Sequence, residues 1–320
     1  MEETGKRKIP LLVLVGPTAV GKSRLALEVA PRIGAEIISA DSAQVYRYMD
    51  IGTAKPTARE QELVKHHLID LVDPDQDFSV SDFQREADRV ISQLYRGGKL
   101  PFMVGGTGLY VNAVIDRYVF QGRGKNIGLR RQLQQAAREQ GLEVLYRRLA
   151  EVDPAAAAKI HPNDQKRIIR ALEVYYQDGI PISRQVELTR RQESPYRLLM
   201  FGLNMEREEL YRRIDRRVEE MMAAGFLEET RRLLEKGFKP DSPGLQVLGY
   251  RQLVRYLENG KGWKETVAEI KKETRQLAKR QLTWFRRDRR IIWLQAEDGL
   301  EALEELISRA VKEKLTSHAN

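Results

Sequence analysis

The sequence predicts an α/β fold: a parallel sheet core flanked by helices, carrying an all-α insertion. Three observations carry this. Short β-branched runs alternate with helical patterns over the first third of the chain. A glycine-rich turn joins the first of these runs to a helix. Residues 119–196 hold no convincing strand. The expected core is therefore 1–118 and 197–320, ending in helices, with 119–196 as a helical insertion domain.

Taken in order, Ile9–Val15 reads as a buried strand, followed by a helix from about Gly21 to Ile33. Ala35–Ser39 is a second strand leading into Asp41, and His67–Leu71 is a candidate third. Ser79–Tyr95 places Val80, Phe83, Ala87, Val90, Ile91 and Leu94 at helical spacing, an amphipathic helix. Leu100–Val104 is another strand, which Gly105-Gly106-Thr107-Gly108 turns into a further helix. Gln121–Asn126 is a polar, glycine-bearing loop. Leu129–Gln177 is helical, broken at Pro154 and Pro162. Arg184–Glu193 is polar and charged, and Pro195 closes the segment. Strand character returns at Leu198–Leu203, with a further strand at Ile291–Leu294.

The 320 residues include no cysteine, which excludes a disulfide, a thiolate zinc site and a cysteine nucleophile. Four histidines argue against a protein-built zinc cage. No apolar run is long enough to cross a bilayer, and no cleavage pattern follows Ile9–Val15. The expectation is a soluble, cytoplasmic protein with no membrane partner. Lys and Arg number 55 against 46 Asp and Glu, a net charge of +9. That excess favours a polyanionic partner, although an ordinary basic protein fits the total equally well. Its distribution is more telling. Lys271, Lys272, Arg275, Lys279, Arg280, Arg286, Arg287, Arg289 and Arg290 crowd one segment that holds only Glu273 and Asp288 as acids.

Gly16, Pro17, Thr18, Ala19, Val20, Gly21, Lys22 and Ser23 match the pattern G-x-x-x-x-G-K-[ST] between a strand and a helix. A phosphate chain needs several inward backbone N–H groups, which a glycine-permitted turn supplies, and the helix adds its positive N-terminal end. Lys22 would reach the terminal phosphate, and the Ser23 hydroxyl would hold a magnesium ion shared with phosphate oxygens. The core is thus expected to be P-loop NTPase-like. The motif alone suggests ATP, but kinases, NTPases and some transferases share it. Asp41 follows the second strand, and strand C-termini line the ligand crevice of a parallel sheet, so it is placed to act as a general base. A capping or turn aspartate is the alternative. In Gly105–Gly108 the glycines would let a substrate approach the backbone and Thr107 would offer a hydroxyl; a tight turn with a helix cap reads equally well. Where an NTP-hydrolysing enzyme would show a magnesium-binding acid, Pro101–Val104 runs into Gly-Gly-Thr.

These segments, with Asp41-Ser42-Ala43-Gln44-Val45-Tyr46, Asp50-Ile51-Gly52-Thr53-Ala54-Lys55-Pro56, Val152–Asp164, Arg167–Val174, Leu248-Gly249-Tyr250-Arg251-Gln252 and Thr274–Arg286, resemble the bacterial tRNA dimethylallyltransferase (tRNA isopentenyltransferase) family. The resemblance runs from the first strand to about Trp293. It implies transfer of a dimethylallyl group from dimethylallyl diphosphate to N6 of the adenosine immediately 3′ of the anticodon. By the same resemblance Asp41 is the general base, Thr107 contacts the target nucleotide, and Gly16–Ser23 hold the diphosphate with Mg2+. Arg217, within Arg213-Ile214-Asp215-Arg216-Arg217, reaches the leaving group. Asp41, Ser42, Ala43, Gln44, Arg130, Gln165, Lys166, Arg167, Ile168, Ile169, Gln246, Gly249, Tyr250, Arg251, Lys279, Arg280, Gln281, Thr283 and Arg286 touch the tRNA. The implied partners are a tRNA anticodon stem-loop and dimethylallyl diphosphate, with no protein partner.

The chemistry suits these residue types. An adenine amine is a poor nucleophile that must shed a proton as the C–N bond forms, so a carboxylate beside it helps. The departing diphosphate needs N–H groups and cations. Lys272, Arg275, Lys279, Thr283, Arg286 and Arg290 fall at three- or four-residue spacing as a polar stripe, and Ala278, Leu282 and Phe285 form a separate apolar one. Two rivals remain: a nucleoside or small-molecule kinase with Asp41 activating a hydroxyl, and a non-catalytic RNA-binding switch. His66 and His67 read as structural, and Trp263, Trp284 and Trp293 as packing residues.

Overall fold

Strand β1 (Ile9–Val15) is covered on both faces. Leu12 and Leu14 point into one core, while Leu11, Val13 and Val15 point into another. A strand buried on both faces is the hallmark of a parallel sheet with helices on each side. In this computed structural model, which describes residues 8–120, 124, 126–260, 262–298 and 300–316, the chain divides into two units. The larger comprises Met1–Ile115 and Pro195–Asn320, and the smaller Asp116–Ser194.

In the larger unit β1 leads to α1 (Lys22–Arg32), β2 (Ala35–Ser39), α2 (Ala58–Leu63), β3 (His66–His67), α3 (Val80–Arg96), β4 (Leu100–Gly105) and α4 (Gly108–Ile115). The smaller unit contains α5 (Ile127–Glu139), α6 (Leu142–Val152), α7 (Pro154–Ala157), α8 (Gln165–Asp178) and α9 (Ile182–Arg190). The first unit then resumes with β5 (Tyr196–Asn204), α10 (Arg207–Ala223), α11 (Phe226–Glu235), α12 (Tyr250–Asn259), α13 (Trp263–Phe285), β6 (Ile291–Gln295) and α14 (Leu300–Val311). All six strands are parallel, in the order β3-β2-β4-β1-β5-β6. Helices α1, α10 and α14 pack on the face shared by Leu12 and Leu14, and α3 and α4 on the other. A third cluster joins Val45 and Met49 to Phe226, Tyr250 and Ile270 of α11–α13.

Three sequence-based expectations need correction. The third strand covers His66–His67 rather than His67–Leu71, because Leu68 (φ 63°) and Asp70 (φ 54°) adopt left-handed backbone that cannot continue a strand. The unit boundaries fall at 115/116 and 194/195 rather than 118/119 and 196/197; Tyr196 already pairs with Ile9 in the sheet. Arg290 lies outside α13, which ends at Phe285, so it cannot extend that helix's polar stripe; it pairs instead with Asp288 at 2.7 Å. Of the loop expected at Gln121–Asn126, Gln121, Gly122, Arg123 and Lys125 lie outside the described residues. Among the described residues no helix is long and apolar enough to cross a membrane.

The smaller unit has its own core of Leu133, Leu145, Leu149, Ile168 and Leu172. Asp153 accepts from Ala156 N–H at 3.0 Å and starts α7 with Pro154 in the first turn, where a proline lacks no needed donor. Asp164 caps α8 through Arg167 N–H at 3.1 Å.

Candidate active site

The C-terminal ends of β1, β2 and β4 converge, and each carries one part of the site. After β1 the chain turns through Gly16–Ser23 into α1. Gly16 has φ 149°, and a Cβ there would lie 2.5 Å from the Leu203 carbonyl oxygen, so only glycine lets the loop leave the sheet at this point. Gly21 (φ 105°) forms the left-handed entry to α1.

Lys22 begins α1, half-buried, and its Nζ donates to the Pro17 carbonyl at 2.6 Å. Burial, followed by the neighbouring Arg217 charge, pulls its pKa down from the ordinary lysine value to about 7, while Asp41 opposes the shift. Arg217, on α10, is likewise lowered by burial and supported by Asp41 and Glu220. Both basic groups are thus penalised by burial, and Asp41 opposes the shift of each. Arg212 and Arg213, one turn earlier, are instead paired with Glu209 at 3.0 and 2.9 Å.

Asp41 follows β2. Its Oδ1 accepts from Ala43 N–H at 2.8 Å, an Asx turn that fixes the carboxyl group. The turn after β4 holds the same segment from the other side: Thr107 N–H donates to the Ala40 carbonyl at 3.1 Å, and Ser42 N–H donates to Thr107 Oγ1 at 3.0 Å. The space left by the glycines of this turn is taken by the protein itself. A Cβ at Gly105 would lie 2.2 Å from the Ala40 carbonyl oxygen, at Gly106 2.3 Å from Gln281 Nε2, and at Gly108 2.3 Å from the Trp284 ring.

Behind Asp41 lies an anchor that the sequence did not disclose. Glu229, buried on α11, accepts from the N–H groups of Asp50, Ile51 and Gly52 at 2.9, 2.8 and 3.1 Å and from the Tyr250 hydroxyl at 2.6 Å. Lys55, also buried, donates to Asp50, Asp70 and the Tyr46 carbonyl. The loop so fixed supplies the Ala54 carbonyl to Gln44 Nε2 at 3.1 Å, while Ser39 Oγ donates to Gln44 Oε1 at 2.8 Å. The only sequence signal was Asp50–Pro56 itself, with nothing to show which partner it required.

The residues assigned to tRNA divide by burial. Lys279, Arg280, Thr283 and Arg286 are exposed on or just beyond α13, and Ala278 and Phe285 are buried on its other side. Gln281 turns inward to the phosphate loop. Arg275 is engaged by Asp215, its Nη1 donating to both carboxylate oxygens at 2.6 and 2.8 Å. Gln246 is exposed and Arg251 pairs with Glu273. Gly249 and Tyr250 are buried, so the Tyr250 side chain is committed to the core and offers no surface to RNA.

In the smaller unit Gln165, Lys166 and Arg167 are exposed, whereas Ile168 and Ile169 are core residues and present no side chain. Arg130 and Arg170 donate to the fully buried Glu173 at 2.6 and 2.9 Å. Burial would raise the Glu173 carboxyl, but these bonds and one from Asn126 N–H hold it below the ordinary glutamate value.

Among the described residues no group of three or more His, Asp or Glu could cage a metal alone. The donor set at the loop, an exposed Ser23 hydroxyl at the start of α1, suits an oxygen-seeking ion that takes most of its ligands from a bound phosphate chain and water.

A model of the IPP transferase family matches residues 44–288. A tRNA dimethylallyltransferase of Symbiobacterium thermophilum is 52% identical over 310 residues, covering 96% of each chain. The crystal structure of a tRNA isopentenylpyrophosphate transferase from Bacillus halodurans is similar with a TM-score of 0.72 and 40% identity, covering 98% of this chain and 100% of that one. A eukaryotic dimethylallyltransferase acting on tRNA superposes with a TM-score of 0.81 at 28% identity, covering 97% and 80%. With the family model matched over residues 44–288 and relatives about half identical over nearly its whole length, this chain belongs to the tRNA dimethylallyltransferase family.

Proposed function

We propose that this protein transfers a dimethylallyl group from dimethylallyl diphosphate to N6 of the adenosine immediately 3′ of the anticodon of tRNA, releasing diphosphate. The observation that carries the reading is the electrostatic grouping at the loop that ends β1: burial lowers both Lys22 and Arg217, Arg217 lowers Lys22 further, and Asp41 opposes the shift of each. Desolvated basic groups beside a glycine-rich loop and a helix N-terminus favour an anionic ligand such as a diphosphate.

In the reaction the adenine N6 lone pair forms a bond to the allylic carbon, and the carbon–oxygen bond to the diphosphate breaks. Asp41 takes the N6 proton, so no cationic amine accumulates. Lys22, Arg217 and the loop N–H groups receive the negative charge that gathers on the leaving oxygens. Mg2+, held by Ser23 and the diphosphate, would add Lewis-acid stabilisation of that charge. Thr107, tied to Ser42, would position the target nucleotide, which must leave its stack to reach the carbon. Lys279, Arg280, Thr283 and Arg286 would follow the RNA backbone, and Gln165, Lys166 and Arg167 of the helical unit would add further contacts.

Incubation with isotopically labelled dimethylallyl diphosphate and unmodified tRNA tests the proposal. Label entering the tRNA supports it. Clear ATP turnover with no label transferred would favour a kinase instead.

A further inference from the structure

Gln281 is the one residue of the Lys279–Arg286 stretch whose polar side chain reaches the phosphate loop. Its Oε1 accepts from Thr18 N–H at 2.8 Å, and its Nε2 donates to the Gly106 carbonyl at 3.1 Å. The orientation of the amide is fixed by chemistry, because a flipped group would set a donor against an N–H and an acceptor against a carbonyl. One amide therefore joins three pieces: the loop proposed to hold the donor diphosphate, the turn proposed to hold the acceptor nucleotide, and the helix whose outer face carries exposed cations. The fit is close, since a side chain at Gly106 would collide with Gln281 Nε2.

We propose that Gln281 is a positioning residue that couples the two substrate sites. RNA drawn onto the outer face of α13 fixes the helix. Through Gln281 it then fixes Thr18 and Gly106, leaving the remaining loop N–H groups pre-arranged for diphosphate. The inference rests on the function proposed above, and it assigns Gln281 to the donor loop instead of to RNA contact. Coupling of this kind is reciprocal: tRNA tightens the donor, and the donor tightens tRNA by the same factor.

The test uses the full chain, an unreactive thiodiphosphate analogue of the donor, and an anticodon stem-loop RNA. Calorimetry gives the analogue Kd with and without saturating RNA. The unmodified protein should bind the analogue about tenfold more tightly in the presence of RNA, within the usual range of site–site coupling. Gln281→Met keeps the side-chain length and removes both hydrogen bonds, and its ratio should fall close to one while RNA still binds. Gln281→Glu keeps the acceptor for Thr18 and loses the donor to Gly106. It should also lose the coupling, and it serves if the Met variant does not fold. A purely structural role would alter both dissociation constants and leave their ratio intact. An unchanged ratio in the folded variants, or a ratio of one in the unmodified protein, overturns the inference. Label transfer by the unmodified protein is measured alongside: its absence sinks the proposed function, whereas transfer with an unaltered ratio sinks only the role of Gln281.

Discussion

The Nζ of Lys22 donates to the carbonyl oxygen of Pro17 at 2.6 Å, so the lysine of the phosphate loop is held by its own backbone. Burial and Arg217 bring its pKa to about 7. A diphosphate arriving there would supply the missing counter-charge and draw Lys22 back to its protonated form.

The sign of the pH effect follows. Below about pH 7 the lysine is already protonated and binding needs no proton. Above it, binding takes up to about one proton and affinity falls by about tenfold per pH unit. Calorimetry of diphosphate binding at pH 8 in buffers of different ionisation enthalpy should show this uptake. Lys22→Ala should bind more weakly and lose it, which separates the lysine from titration of the diphosphate itself.

Asp41→Asn preserves the size of the side chain and an oxygen for Ala43 N–H, but not the basicity. Transfer should fall by about 10²–10⁴-fold in single-turnover assays, with tRNA binding retained. Near-normal turnover would remove Asp41 from the role of base.

Glu229 satisfies three consecutive backbone N–H groups and the Tyr250 hydroxyl. Glu229→Ala should cost about 2–4 kcal/mol, since it strands the buried Tyr250 hydroxyl and three part-buried N–H groups. Thermal unfolding reads that loss. If the anchor also sets the Asp41–Gln44 segment, the surviving folded protein should show reduced transfer at saturating donor.

Lys279 and Arg286 are exposed and carry charge without touching the loop. Replacing both with alanine should weaken tRNA binding and reduce its salt slope by about one to two. An unchanged slope would place the RNA elsewhere.

How much of this was legible in the sequence depended on range. β1, the loop and α1 are contiguous, and their local pattern dictates the shape on which the proposed phosphate chemistry rests. β2, β4 and β5 were legible for a similar reason, each being a short apolar run with a helix beside it. The extent of β3 was hidden because nothing in Leu68 or Asp70 announces a left-handed backbone. Tyr250, Ile168 and Ile169 sit within segments that carry the family resemblance, yet that resemblance does not separate a packing residue from a contact residue; burial does. Gln281 meets Thr18 across 263 residues, and Glu229 meets Asp50 across 179. Those pairings arise only when the sheet order brings distant helices to the same edge.

The most direct measurement is nucleoside-resolved mapping of label after incubation of the purified protein with labelled dimethylallyl diphosphate and an unmodified anticodon stem-loop. Label is expected on N6 of the adenosine 3′ of the anticodon, formed with one diphosphate released per group transferred and lost in Asp41→Asn. Label on another nucleotide, or none from a preparation that turns over ATP, would contradict the proposed function.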